Sequence, residues 1–249
     1  GLVLAVSFWI FYRAPEDSKR LSDEEYRHIL AGRDDVAKPK AHLPWAKFFT
    51  YPQTWGMMLG FFSSIWIWNI FITFLPLFLQ DTLGVSIAST GWVAAIPYLA
   101  AAIGAIYAGR LTLTLVRKRS MSSIASKKAI LIWGCILLGI LLCIVPFVHD
   151  LTLALIVLCL ALALVAAIQA QSWALTSDIV PDTHAAQFGG IMNFGGYFGG
   201  ALAPVLTGLV VDRTGSYTLS VLVAGVIAAL GAVFYGLLVR RPVHEQVPA

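Results

Sequence analysis

Six stretches of this chain, residues 48–80, 82–109, 129–149, 151–177, 183–211 and 214–239, contain no Asp, Glu, Lys or Arg. A helix needs about 20 apolar residues to cross a hydrocarbon core about 30 Å thick, and each stretch is long enough. Backbone amides find no water in lipid, so such segments must be helices or closed barrels. The apolar residues run continuously rather than alternating, which excludes barrel strands. The pattern predicts an all-α membrane protein, a bundle of six transmembrane helices over residues 48–241. Residues 1–12 are apolar but only about half a span long. They read as the tail of a truncated transmembrane helix, because the basic residues follow the apolar run and no signal-peptide cleavage pattern appears. Residues 13–47 form a charged linker, and 242–249 a short tail.

The linker carries one further helix signal. In Leu21-Ser22-Asp23-Glu24-Glu25, Ser22 can cap a helix and Glu25 stands where a capping box requires it. A short amphipathic helix to about Ala31, stopped at Gly32, is expected.

Charge sets the topology. Of the 17 Lys and Arg residues, only Arg213 falls on one side of a membrane crossed six times. The others precede the first span, lie between the second and third at Arg110–Lys128, or follow the sixth at Arg240 and Arg241. The positive-inside rule makes the crowded side cytoplasmic, linker and C-terminus included, in a multi-pass protein of the plasma (inner) membrane. The basic balance is therefore membrane-flanking, and no nucleic-acid partner follows from it.

The spans differ in kind. The first carries Asn69 and Thr73, four apart on one face. The second has Tyr98 beside Pro97 near its middle and small residues, including Gly104, toward its inner end. The fourth places Gln169, Trp173 and Thr176 on one stripe, with Ser172 at its edge. The fifth, GGIMNFGGYFGGALAPVLTG, has Asn193 ahead of two overlapping small-xxx-small pairs, Gly195/Gly199 and Gly196/Gly200. The third and sixth are almost purely apolar, so they are expected at the lipid-facing periphery. Two readings of the polar set stand side by side. The glycines permit close helix packing, and Asn, Gln or Thr can bond neighbouring helices. Alternatively, Asn69, Thr73, Tyr98, Gln169, Ser172, Trp173 and Asn193 line a wet midplane cavity that binds a solute.

Other chemistries find no support. Cys135, Cys143 and Cys159 all lie within spans and form no metal pattern, and no two histidines are spaced as a ligand pair. There is no nucleophile elbow, phosphate loop or intramembrane carboxylate pair. An enzyme, a cofactor and a metal site are not expected.

Several segments resemble one family. FYRAPEDSKRLSDEEYRHI, FITFLPLFLQDTLGVSIASTGWVAAIPYLAAAIGAIYAGRL, SWALTSDIVP and MNFGGYFGGALAPVLTGLVVDRTGSY are similar to the C-terminal half of major facilitator superfamily transporters. More narrowly, they resemble the anion:cation symporters, which carry sugar acids and other organic anions. The resemblance implies half of a two-bundle fold that binds substrate at the midplane and rocks. It implies that Ser172, Trp173 and Asn193 help line the site. The charged groups that bind the anion and carry the coupling proton would lie in an N-terminal six-helix half, missing here. Without that partner half, the bundle is expected to fold badly in the lipid bilayer. One departure stands out. Leu113 occupies the place of an Asp in a Gly-x-x-x-Asp-like turn at the inner gate, which leaves Arg110 or Asp178 to substitute.

The leading expectation is proton-coupled symport of an organic anion such as a sugar acid. A carrier of a neutral or vitamin-like solute and a non-transporting membrane sensor or scaffold are the alternatives.

Overall fold

The computed structural model describes residues 1–13, 21–32, 44–81, 84–240 and 243, so parts of the linker and nearly all of the C-terminal tail lie outside the described residues. The chain divides into two units, Gly1–His42 and Leu43–Ala249.

In the first unit, α1 (Leu2–Phe11) and α2 (Asp23–Gly32) are helical. The start of α2 is a capping box. The Ser22 hydroxyl accepts from the Glu25 amide at 3.2 Å, and the Glu25 carboxylate accepts from the Ser22 amide at 3.1 Å. Two of the helix-end donors are thereby met.

The second unit holds α3 (Trp45–Phe48) and six long helices: α4 (Pro52–Asp81), α5 (Ile87–Arg119), α6 (Ser123–Ile144), α7 (Leu151–Ile179), α8 (Asp182–Thr214) and α9 (Thr218–Leu238). All six are long and apolar enough to cross a membrane. The chain is thus an all-α multi-pass membrane protein. Several helix boundaries depart from the charge-free stretches, α6 beginning at Ser123 and α9 at Thr218 among them. The first span starts at Pro52 rather than 48, because Phe49–Tyr51 turn back on α3 and Pro favours the first helical position. The second runs on past Arg110 to Arg119. The charges mark where hydrocarbon ends, and the helix continues beyond it. It stops at Ser120, which is left-handed at φ +51°, and Ser122 then caps α6 by accepting from Ala125 at 3.2 Å.

α4 and α7 are central. α8 packs along α4, α5 along α7, and α6 and α9 pack on each other against the opposite side of the central pair. Glycines set the closest seams. Gly104 of α5 meets the backbone of Ala163, and Gly139 of α6 lies against the Gly225 carbonyl of α9. Gly195, Gly196, Gly199 and Gly200 all face α4, where a Cβ would run into Met58, Phe61, Phe62 and Asn69 respectively. The two small-residue pairs therefore serve close packing of α8 on α4.

The basic helix ends meet at one end of this unit. There the Lys127 ammonium pairs with the Asp178 carboxylate at 2.7 Å and also donates to the Ala174 carbonyl. Ser123 donates to the same carboxylate oxygen. Lys128 donates to the Gly236 carbonyl. Asp178 is thus occupied within the bundle, whereas Arg110 forms no ion pair among the described residues. At the opposite end the Tyr217 phenol reaches Asp81 at 3.4 Å and packs on Phe74 and Phe78. Burial, then the Asp81 charge, raise the Tyr217 pKa, which keeps the phenol protonated to donate.

Candidate functional site

The fourth and fifth spans are joined by only Val180 and Pro181, so α7 and α8 run antiparallel from a shared turn. Near that turn Trp173 of α7 lies over Gly189 of α8; a Cβ there would come within 2.9 Å of the indole. Phe61 of α4 meets the indole edge-on, with ring centroids 6.2 Å apart at 84°. Trp173 keeps 47% of its surface exposed despite these contacts. It is a propped, half-open aromatic wall.

One helical turn further from the connection, α7 carries Gln169 and α8 carries Asn193, so the two amides stand at the same level. Each lies roughly 15 Å along its helix from the shared turn, which is half of a hydrocarbon core about 30 Å thick. The Gln169 Nε2 is buried and has no hydrogen-bond partner. Asn193 is half-buried and bonds none of the described residues. An unpaired amide donor under an aromatic wall is costly in an apolar interior unless something polar arrives to meet it.

The remaining candidates are placed differently. Ser172 is fully buried; its hydroxyl donates to the Ile168 carbonyl at 2.8 Å and shares a 2.7 Å bond with the Tyr235 phenol of α9. It faces away from the Trp173 wall, since neighbouring helical residues are turned about 100° apart. Tyr235 is itself fully buried, its ring seated where Gly60 leaves room. Tyr235→Phe is expected to lower stability by about 1 kcal/mol, the net worth of one buried hydrogen bond, with little effect on transport. Thermal unfolding beside an uptake assay checks this, and a selective loss of uptake would count against it.

Asn69 donates to the Ile65 carbonyl at 2.9 Å and abuts Gly200, two turns along α8 from Asn193. Thr73 is exposed one turn beyond it. Tyr98 meets Trp68 edge-on at 5.9 Å, between α5 and α4. The register therefore puts Gln169 and Asn193 at one level, a turn beyond Trp173, while Ser172, Asn69 and Tyr98 engage other neighbours and Thr73 is exposed. Phe61 and Gly189, which pack against Trp173, have no distinguishing mark in the sequence. Phe61 carries no signal that separates it from other span aromatics. Gly189 opens the glycine-rich run GGIMNFGGYFGG, where nothing in the sequence separates it from the glycines that follow.

The site is neutral. Neither α7 up to 177 nor α8 from 183 to 211 contains a charged residue. Its donors can bind hydroxyl or carboxylate oxygens, and it holds no group to carry a proton.

The Major Facilitator Superfamily family model matches residues 1–126 and again 120–249. The chain belongs to that superfamily, and its six-helix bundle is half of that fold. A probable L-galactonate transporter of Escherichia coli (strain K12) is 31% identical over 246 residues, 98% of this chain and 54% of the relative. A probable sulfoacetate transporter of Cupriavidus necator is 29% identical over 93% of this chain and 53% of its own length. A probable galactarate/D-glucarate transporter of Escherichia coli (strain K12) is 28% identical over 96% of this chain and 55% of its own length. The chain thus spans about half the length of the curated relatives it matches. These relatives are transporters rather than enzymes, of the sugar-acid and organic-anion type resembled above.

Proposed function

We propose that this chain supplies the C-terminal six helices of a secondary transporter that carries a hydroxylated organic anion, such as a sugar acid, in symport with protons. The observation that carries the reading is the unpaired, buried Gln169 amide at the level of Asn193 beneath the Trp173 wall. Amide donors suit the several hydroxyls and the carboxylate of a sugar acid, and an indole suits the apolar face of its carbon chain. The site lacks charge, so the anion's counter-charge and the proton-carrying group come from a companion N-terminal half. Substrate sits between the two halves, which rock about it. The linker and C-terminus are cytoplasmic, in keeping with the basic residues gathered at one end.

The reading is tested by uptake of labelled L-galactonate, D-glucarate and sulfoacetate into proteoliposomes holding the intact protein, with and without an inward proton gradient. Accumulation of a sugar acid only with the gradient is the expected result. Gradient-independent equilibration removes proton coupling. Uptake of neutral polyols alone removes the anion, and no flux across the panel removes the transport assignment to this substrate class.

A further inference from the structure

A second opening lies far from the Trp173 slot, on the flank where α8 and α9 diverge after the Gly215 turn. It is a groove of about 630 Å³ with α4 at its back. That volume falls within the roughly 300–1,000 Å³ of sites that bury small ligands. Its outer walls, Leu206, Leu209, Leu219 and Val223, are apolar and 42–49% exposed, so the groove is open along its flank. Three polar side chains line its interior. Trp66, Thr207 and Ser220 are each no more than 5% exposed. The Trp66 Nε1 and the Ser220 hydroxyl have no hydrogen-bond partner, and Thr207 bonds none of the described residues. At the mouth stands Arg213, the one basic residue at its end of the bundle and without an ion pair among the described residues.

A groove with a cation at its mouth, unpaired hydroxyls below and apolar walls beyond has the polarity sequence of a glycerophospholipid. We infer that it holds one acyl chain of an anionic phospholipid, with the phosphate on Arg213 and the ester carbonyls on Ser220 and Thr207. Thr207 lies six residues, about 9 Å, down α8 from Arg213, a spacing that separates a headgroup site from an ester site. An arginine fork binds phosphate with both charge and geometry. The Ser220 and Thr207 hydroxyls gain acceptors that the protein does not give them. The chain's methylenes cover the open flank, with the Trp66 ring beside Phe62 as the floor. The lipid belongs to the leaflet at the Asp81–Arg213 end and would tie α9 to α8, which touch each other little.

The test uses the intact protein, stripped of lipid in mild detergent. It is then offered phosphatidylglycerol, phosphatidylcholine of the same chains, or inorganic phosphate, with native mass spectrometry and thermal unfolding as readouts. Phosphatidylglycerol is expected to be retained and to raise the unfolding temperature. Arg213→Gln should weaken its retention about tenfold, the worth of one charge-assisted contact, while Arg213→Lys keeps most of it. Ser220→Ala should weaken it less. Equal retention of both lipids overturns the inference. So does a matching shift from phosphate alone, which would make Arg213 a free-anion site. Retention of no lipid, leaving a groove that only hydrates the Trp66 indole, overturns it as well.

Discussion

Gly104→Val is expected to leave little correctly folded protein. A Cβ at Gly104 would meet the Ala163 carbonyl oxygen, and it would stand 2.6 Å from the Ala163 Cα. The obstacle is the backbone of α7, which has no rotamer by which to withdraw. The two helices must part, and the α5–α7 seam is the main contact that α5 makes. Overpacking a core costs about 1–3 kcal/mol where side chains can yield. Here the cost should reach or pass the top of that range, against a total stability of about 5–15 kcal/mol. Gly196→Val should be milder, because its obstacle is the Phe61 ring, and Phe61→Ala should partly rescue it. Gly109→Val is the control, since nothing lies within 4 Å of a Cβ there. Its effect should stay within about 0.5 kcal/mol. Monodisperse yield and unfolding temperature in detergent measure all of these. Equal behaviour of the Gly104 and Gly109 variants would refute the seam.

The second large effect concerns transport. Asn193→Leu is expected to cut substrate uptake at least about tenfold in protein that still folds, since a hydrogen bond to a charged ligand is worth about 1.5–3 kcal/mol. Trp173→Ala is expected to cut it by a similar factor, since burying a large apolar side chain contributes about 1.5–3 kcal/mol. Gln169→Leu separates binding from packing most sharply. Its Nε2 is buried without a partner, so an apolar replacement should raise thermal stability while uptake falls. A purely structural Gln169 would show the opposite pair of signs, or no change in uptake. Ser172→Ala should behave like Tyr235→Phe, lowering stability and sparing the affinity for substrate, because its hydroxyl is held between Ile168 and Tyr235.

The polar residues of the spans could be found by reading along the chain, because lipid makes each of them conspicuous. Their partners could not. Ser172 and Trp173 are adjacent in sequence, yet one is sealed against α9 and the other opens toward α8. Periodicity gives relative angles around a helix, and it does not say which neighbour each angle meets. Gly104 shows the same limit. It stood out as a small residue, but its importance came only from the Ala163 backbone opposite it. Likewise the unpaired Ser220 and Trp66 acquire meaning only because α4, α8 and α9 bring them to one groove.

By itself the sequence determined the class, the number of spans and the arrangement of basic residues at one end. Each of these depends on a local property, the transfer of side chains and backbone between water and hydrocarbon. It also marked the α8 glycines as a packing face and Gln169, Ser172, Trp173 and Asn193 among the candidates for a polar cavity. The tertiary structure alone decided that the Gln169 amide is left unpaired, that Ser172, Asn69 and Tyr98 are engaged with other neighbours, and that helices α4 and α7 form the centre. Those facts are pairwise, set by which backbones approach closely enough to exclude or leave a partner, and no single segment of chain contains them.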